Sequence, residues 1–293
     1  MLKVKLLNQG VDVYLMDAFT FNARGGNPAG VVFLTSEIAD EEKLLIANQV
    51  GVSETAFVIK RPDGDFDVTF FTPEAEVDFC GHATLATFFC MRSLGFVKEG
   101  EYRQHTKAGM LNVVVTSSNI VMEQVLPSTR IGPSAKAVSE ALGVSEEVIL
   151  RTGLPIEIVS TGLPDIIVPV EVGMLDRLNP DYQLIEKISR EYRTIGLHVF
   201  EFSHDGFFSA QCRNYAPLFG INEEAATGSA SGALGCYLVK HMKLRDKIFR
   251  FGQGRAMKSQ SMIQVMIDID NHSIVRVRVG GTAKLNKKVK VII

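Results

Sequence analysis

The chain has 293 residues, is 46% hydrophobic and carries 31 Lys and Arg against 33 Asp and Glu, a formal net charge of −2. This length favours two lobes over one, and the balanced charge gives no electrostatic reason to expect a nucleic acid partner. There is no apolar run of about 18 residues to span a membrane, and the first residues lack an apolar segment long enough for a secretory signal. The four cysteines have no zinc-ligand spacing, which argues against a structural zinc or a disulfide scaffold and predicts a reducing cytoplasm.

The first half of the chain reads as strands, one surface helix and a second, very apolar helix. An extended opening leads through a Gly-rich loop at 24–30 into an apolar strand. The pattern then predicts a helix over 40–50, strands near 55–59 and 67–71, an acidic turn over 72–78, and an apolar helix from Ala83.

Gly81 and His82 open that apolar helix. A glycine there lets a ligand approach bare backbone N–H groups, and the helix directs partial positive charge at an anion such as a carboxylate. A histidine in this place can exchange a proton with the bound molecule. The pattern therefore predicts a site for a small molecule.

The second half repeats this order of elements. A loop and strand at 160–170 precede a helix at 179–192, two strands at 196–202 and 206–217, and a Gly/Ser-opened apolar helix at 223–242. The two helix openings, Gly81 and Gly228, are about 147 residues apart, which is half the chain. The sequence predicts an α+β fold of two similar lobes, residues 1–118 and 119–282, each with strands around one buried apolar helix.

Several blocks together resemble the PhzF-like, phenazine-biosynthesis family. They are DAFTFNARGGNPAGVVF, NQVGVSETAFV, FFTPEAEVDFCGHATLA, EEAATGSASG, GQGRAM and VGGTA, in this order along the chain. The resemblance implies the diaminopimelate-epimerase-like fold: two lobes, each a strand-rich barrel around a central helix, with the active site in the cleft between them. It also implies that the last strand, 283–293, returns to the first lobe, and that the protein is a homodimer.

The resemblance also implies a reaction. The named family member isomerises trans-2,3-dihydro-3-hydroxyanthranilate by moving a proton between carbons, without metal or organic cofactor. Its acid/base Glu lies in an S-E-T motif, which here is Ser53-Glu54-Thr55. One carboxylate can take a proton from an activated C–H and return it elsewhere on the same face, and a dry cleft would raise the pKa of that carboxyl.

The remaining family positions map onto both halves. Its Gly-His pair matches Gly81 and His82, and its second-helix Gly-Ser matches Gly228 and Ser229. The family Asp of an E-D-P-A-T-G-S block is replaced here by Glu224, which reaches roughly 1.5 Å further. We therefore expect Glu54, His82 and Glu224 to be catalytic, and Ser53, Gly81, Gly228 and Ser229 to bind a small carboxylate or amino acid, with no metal and no cofactor.

Each residue has a simpler interpretation. Glu54 could be a turn carboxylate, His82 a hydrogen-bonding residue at a helix start, Ser229 an N-cap and Glu224 a partner of the helix dipole. Asp17 and Asn27 could hold the Gly-rich loop, and Arg213 could pair either with an acidic neighbour or with a substrate carboxylate.

Two other functions stay open. Epimerases and racemases of the same fold use two cysteines, each preceding a glycine at a helix start. Cys80 occupies the first such place, but the second half offers only Ala225 and Ala226. The protein could also be a non-catalytic receptor for a small anion, although such a receptor needs no carboxylate in its site.

Overall fold

A computed structural model describes residues 10–242 and 247–292, and the backbone alone at Lys247. The chain divides into two compact units: a first that runs to Met122 and resumes at Gly280, and a second that comprises Glu123–Val279. None of the helices in the described ranges is long and apolar enough to cross a membrane.

The described residues of the first unit form two helices and nine strands. The helices are α1 (Asp40–Val50) and α2 (Gly81–Ser93). The strands are β1 (Val11–Ala18), β2 (Asn27–Leu34), β3 (Glu54–Lys60), β4 (Phe66–Phe71), β5 (Glu76–Val77), β6 (Gly100–Thr106), β7 (Gly109–Val115), β8 (Ile120–Gln124), which ends two residues past the unit boundary, and β18 (Ala283–Val291).

The strands of this unit pair in the order β18, β1, β2, β3, β4, β6, β7, β8, with β5 on β4. The β2–β3 and β4–β6 pairs are parallel and the others antiparallel. Parallel neighbours need a crossover: α1 connects β2 to β3, and α2 lies between β4 and β6. The C-terminal strand β18 pairs with β1 along its length.

Helix α2 is the centre of the first unit. It packs against β1, β2, β3 and β18 and is buried on most sides, including Ala83, Leu85, Ala86 and Phe88. Its sequence is apolar all round, so only a position enclosed by strands removes that surface from water. A second cluster, formed by α1 with residues of β1, β2 and β3, packs on the other face of the sheet.

Within its described residues the second unit contains four α-helices and the remaining strands. The helices are α3 (Ala135–Leu142), α4 (Glu147–Leu150), α5 (Tyr182–Tyr192) and α6 (Gly228–Met242). The strands are β9 (Ser128–Ile131), β10 (Glu157–Ser160), β11 (Pro164–Pro169), β12 (Leu197–Phe202), β13 (Ala210–Ala216), β14 (Ile221–Glu224), β15 (Lys247–Gln253), β16 (Ser261–Asp270) and β17 (Ser273–Gly281), the last of which crosses into the first unit at Gly280.

The second unit repeats the pairing pattern of the first. From β10 to β16 the pairs are antiparallel, parallel, antiparallel, parallel and antiparallel, as they are from β1 to β7. Helix α5 takes the crossover place of α1, and the apolar helix α6 takes that of α2. Helix α6 packs on β10, β11, β15 and β16, while α3 and α5 cover the other face.

The segment predicted as a Gly/Ser-opened helix over 223–242 is helical from Gly228, the predicted opening, and Glu224 before it pairs with Asn214 of β13 as the end of β14. The Gln253 side chain fixes this transition: its Nε2 donates to the Glu224 carbonyl at 2.7 Å and its Oε1 accepts from the Thr227 N–H at 3.1 Å. The loop predicted over 24–30 ends at Asn27, where pairing with Ala18 of β1 begins strand β2.

Candidate active site

Glu54 is the first residue of β3, and a short connection joins this strand to α1, whose C-cap is Gly51. Its Cα position pairs with Ala29 of the parallel strand β2. The preceding Ser53 is half-buried, and its hydroxyl donates to the Pro28 carbonyl at 3.4 Å. The parallel pair therefore holds the S-E-T segment beside the end of the Gly-rich loop.

His82 lies in the first turn of α2 and is 5% exposed. Its Nε2 lies 3.3 Å from Ser53 Oγ, and its Nδ1 lies 3.3 Å from the side-chain amide of Asn27. Two segments of the first unit outside α2 thus orient one imidazole ring. Asn27 was expected to hold the loop; the structure places its amide against His82.

Glu54 and His82 form a close pair. Glu54 Oε2 lies 3.1 Å from His82 Nε2, with the two side chains 12% and 5% exposed. The same oxygen is buried and meets the geometric criteria for a hydrogen bond with none of the described residues. A buried carboxylate oxygen without a donor is costly unless a charge or a ligand satisfies it.

The charges of this pair depend on each other. Burial acts to raise the pKa of Glu54, but the charge of His82 and polar contacts with His82, Ser53 and Cys80 outweigh it, so the pKa is lowered from its ordinary value. The raised pKa expected from a dry cleft is therefore wrong, because the sequence did not show that an imidazole faces the carboxyl. Burial opposes the charged ring of His82, yet electrostatic and polar interactions with Cys80 and Glu54 raise its pKa well above the ordinary 6.5.

The pair is accordingly a carboxylate and an imidazolium at neutral pH. An imidazolium donates from both ring nitrogens, so the Asn27 amide must present its oxygen to Nδ1, which a half-turn of the amide supplies. His82 therefore carries a proton and Glu54 can accept one, and the two groups lie 3.1 Å apart with both side chains largely buried.

Cys80 is the N-cap residue of α2 and is 8% exposed. Its Sγ lies 3.3 Å from His82 Nδ1 and 3.9 Å from Nε2. Burial raises the pKa of the Cys80 thiol, and the charge of Glu54 acts in the same direction. The thiol is therefore kept neutral, unlike a thiolate prepared for nucleophilic or two-base chemistry. Glu54, Cys80 and His82 nevertheless form a potential metal-ligand set, with donor atoms within 4.8 Å of one another.

Gly81 provides open space at the helix start. A Cβ added there would meet nothing closer than a ring carbon of Phe79 at 3.9 Å. The glycine is therefore not required by packing or by a left-handed backbone. The free volume lies beside His82, where a ligand can reach the first N–H groups of the helix.

The other predicted site residues belong to the second unit. Glu224 ends β14, and its carboxylate accepts a hydrogen bond from the Thr227 hydroxyl. Gly228 is buried at the start of α6, and Ser229 is half-buried one residue later. Cys80 directly precedes the first residue of α2, and the residue that directly precedes α6 is Thr227. The expected counterparts Ala225 and Ala226 lie further from the helix, so the position that corresponds to Cys80 carries a hydroxyl group.

Several contributors to these sites carried no clear sequence signal. Gln253 fixes the start of α6 from β15, a contact between residues far apart in the chain. Arg213, left open above, forms a buried fork with Glu223, with Nη2 2.7 Å from Oε2 and Nε 2.8 Å from Oε1. This bidentate pair fixes the side chain of Glu223, the neighbour of Glu224 in β14.

Asp17 lies in the first unit. Burial raises the pKa of its carboxyl group, and its side chain forms a hydrogen bond with Asn286 of β18.

Fold and site together define an α+β protein in which strands enclose apolar helices and a buried carboxylate–imidazole pair can move a proton. The sequence model described as phenazine biosynthesis-like protein (PhzC-PhzF) matches residues 16–288. The chain belongs to this family.

Relatives and solved structures agree with this assignment. An uncharacterized isomerase of Clostridium acetobutylicum is 33% identical over 288 residues, 93% of this chain and 95% of the relative. The uncharacterized isomerase YddE of Escherichia coli is 33% identical over 283 residues, 92% and 95% of the two chains. The crystal structure of a PhzF family phenazine biosynthesis protein from Bacillus anthracis has a TM-score of 0.88 at 28% identity and covers 97% of this chain and 99% of its own.

More distant structures share the fold alone. A hydroxyproline epimerase from Agrobacterium vitis has a TM-score of 0.62 at 11% identity and covers 100% of this chain and 94% of its own. The chain therefore has the strand-rich mixed fold of the diaminopimelate-epimerase type, and its family membership supports an isomerase-like or epimerase-like enzyme.

Proposed function

We propose that the protein is a cofactor-independent isomerase that moves a proton on a small cyclic acid or amino acid, with Glu54 as the general acid/base. The supporting observation is the buried Glu54–His82 pair, in which Oε2 lies 3.1 Å from Nε2 and takes part in no hydrogen bond within the described ranges. That oxygen is free to take a proton from a substrate C–H, provided a neighbouring π-system or carbonyl can hold the electron pair left behind.

The proposed steps conserve atoms and charge. The Glu54 carboxylate removes a proton from one carbon, and the substrate becomes a delocalised anion. The imidazolium of His82 and the N–H groups at the start of α2 place positive potential beside that anion. Glu54, now a carboxylic acid, returns the proton to another carbon of the same π-system, which regenerates the enzyme and gives an isomer. Isomerisation of trans-2,3-dihydro-3-hydroxyanthranilate by the named family member has this form.

We assign binding roles to Ser53, Gly81, Gly228 and Ser229, and a second proton-carrying role to Glu224. Glu224 keeps a carboxylate at the family Asp position and bonds to Thr227. Its extra methylene changes the reach of the carboxylate by roughly 1.5 Å, so we propose a substrate that differs in size or polar pattern from the anthranilate. A homodimer is part of the same proposal, and light scattering tests it.

A two-thiol epimerase is less well supported. Cys80 sits beside His82, but the corresponding place before α6 holds Thr227. A hydroxyl is too weak an acid and base to replace a thiol in inversion at carbon.

Solvent exchange tests the proposal directly. The wild type is incubated in heavy water with a panel of cyclic and acyclic amino and carboxylic acids, and deuterium incorporation is followed by mass spectrometry. We expect exchange and isomer formation with one class of substrate. Glu54→Gln keeps the fold and loses turnover by about 10² to 10⁴, the range for a lost general acid/base.

The matched control is Glu74→Gln, which makes the same change in the exposed turn before α2. It should exchange deuterium as the wild type does. Near-normal exchange by Glu54→Gln would refute the catalytic assignment, and binding of a panel member without exchange by the wild type would favour the receptor function.

A further inference from the structure

Three different metal-ligand atoms converge in the first unit. Glu54 Oε2, Cys80 Sγ and a ring nitrogen of His82 lie within 4.8 Å of one another. Glu54 begins β3 and the other two residues begin α2, so the set is held by the packing of a strand against a helix. The three side chains are buried or nearly so.

The distances suit a tetrahedral ion with His82 Nε2 as one ligand. Zinc binds imidazole nitrogen and carboxylate oxygen at about 2.0–2.2 Å and thiolate sulfur at about 2.3 Å. Two ligands of a tetrahedral ion are then about 3.3–3.6 Å apart. Here Nε2 lies 3.1 Å from Glu54 Oε2 and 3.9 Å from Cys80 Sγ, on either side of that range. The Glu54 oxygen and the Cys80 sulfur lie within 4.8 Å of each other, so binding requires these two side chains to move closer by up to roughly 1.3 Å.

The ligand types select the ion. One sulfur, one nitrogen and one oxygen donor suit a borderline-soft cation such as Zn²⁺, whereas Mg²⁺ and Ca²⁺ require mostly oxygen ligands. The Glu54 oxygen takes part in no hydrogen bond with any described residue, so an ion supplies a partner that the protein does not. The Asn27 amide beside His82 Nδ1 would orient the ring for coordination through Nε2.

We propose that Glu54, Cys80 and His82 form an inhibitory site for Zn²⁺ or a similar borderline-soft divalent cation. Three protein ligands leave one position for water. The ion occupies the oxygen and the nitrogen that carry protons in the reaction, so cation and substrate exclude each other. The ion binds a thiolate and an unprotonated ring nitrogen, so binding releases the Cys80 thiol proton and the His82 Nε2 proton to solvent. The inhibitory effect rests on the proposed function.

Direct binding is the first test. The purified protein is titrated with Zn²⁺ against a chromophoric chelator, and separately with Co²⁺, whose absorption reports tetrahedral geometry and thiolate ligation. We expect one equivalent of either ion and a sulfur-to-cobalt charge-transfer band. Cys80→Ser should abolish the band and weaken Zn²⁺ binding by about a hundredfold or more, since changes even to outer-shell partners cost 10- to 100-fold.

Cys90→Ser is the matched control, because Cys90 is a buried thiol of the same helix outside the ligand set. It should keep both the band and the affinity. Absence of stoichiometric binding by the wild type, or a thiolate band that persists in Cys80→Ser, would overturn the site.

Inhibition is the second test. Zn²⁺ should raise the apparent KM for whichever substrate shows deuterium exchange, and added chelator should reverse the effect. The zinc sensitivity of Cys80→Ser is measured against its own zinc-free rate and should be lost. Stoichiometric binding with unaltered turnover would overturn the inhibitory role and the catalytic role of Glu54, while the cation site itself would stand.

Discussion

Glu54 Oε2 lies 3.1 Å from His82 Nε2, and the two residues come from separate elements, the first residue of β3 and the first turn of α2. Each partner stabilises the charged form of the other: the pKa of Glu54 is lowered and that of His82 is raised. The pair therefore titrates as a unit, and its ionisation has consequences that can be measured.

The first prediction concerns the pH dependence of kcat/KM. The active free enzyme needs the Glu54 carboxylate and the His82 imidazolium. A lowered carboxyl pKa moves the acid limb below the ordinary 4.5, and a raised imidazole pKa moves the alkaline limb above the ordinary 6.5. We expect a flat maximum across that interval, and His82→Gln should remove the alkaline limb. A limb centred between these two values would contradict the ion pair.

The second prediction concerns the space at Gly81. Gly81→Ala adds a methyl group to a place where the nearest atom is 3.9 Å away and the backbone is helical. The free energy of unfolding should stay the same or rise by up to about 1 kcal/mol, since alanine favours a helix over glycine. Ligand affinity should fall, because the methyl group covers the approach to the helix N–H groups. Calorimetric binding together with urea unfolding checks both effects, and unchanged affinity would show that no ligand uses this space.

The third prediction concerns Asp165 on β11, whose two carboxyl oxygens are buried and form no hydrogen bond with the described residues. Burial, with the charge of Glu224 in addition, raises its pKa well above the ordinary 3.8. Above pH 3.8 the unfolded chain releases the Asp165 proton, while the folded protein keeps it up to its own raised pKa. Between these two pKa values, each unit of pH increase therefore lowers the free energy of unfolding by about 1.4 kcal/mol.

Asp165→Asn stays neutral at every pH and should avoid that loss. Urea unfolding should show the variant more stable than the wild type at neutral pH, with the difference shrinking as the pH falls towards 4. Asp270→Asn, the same change at an exposed position, should give a small difference at all pH values. A stability difference for Asp165→Asn that does not vary with pH would show that Asp165 is ionised in the folded protein.

The fourth prediction concerns independence of metals and cofactors. Proton transfer by Glu54 requires neither a Lewis acid nor a nucleotide. Turnover should survive treatment with EDTA and exhaustive dialysis, and it should rise if the protein was purified with zinc at the Glu54–Cys80–His82 site. Loss of activity on chelation that one added metal restores would refute both the proposed mechanism and the inhibitory role of the ion.

The local elements were largely readable from the sequence. The helix predicted over 40–50 matches α1 because three acidic residues follow its start and Gly51 ends it in the left-handed conformation. The strands before Gly81 and the apolar helix after it were predicted from the periodicity of their apolar residues. The opening of α6 at Gly228 was predicted as well, but the contacts that separate it from β14 involve Asn214 and Gln253, which are distant in sequence and have no local signal.

The sequence by itself determined the order of strands and helices, the two apolar helices that must be enclosed, and the residue types available for proton transfer. Only the tertiary structure decided which of them meet and in which charge state. Parallel pairing of β2 with β3 and packing of α2 bring Asn27, Glu54 and His82 together. Their contact lowers a carboxyl pKa that burial alone would raise, because an ionisation equilibrium depends on neighbours in space, and periodicity in a sequence reports only the burial of a residue.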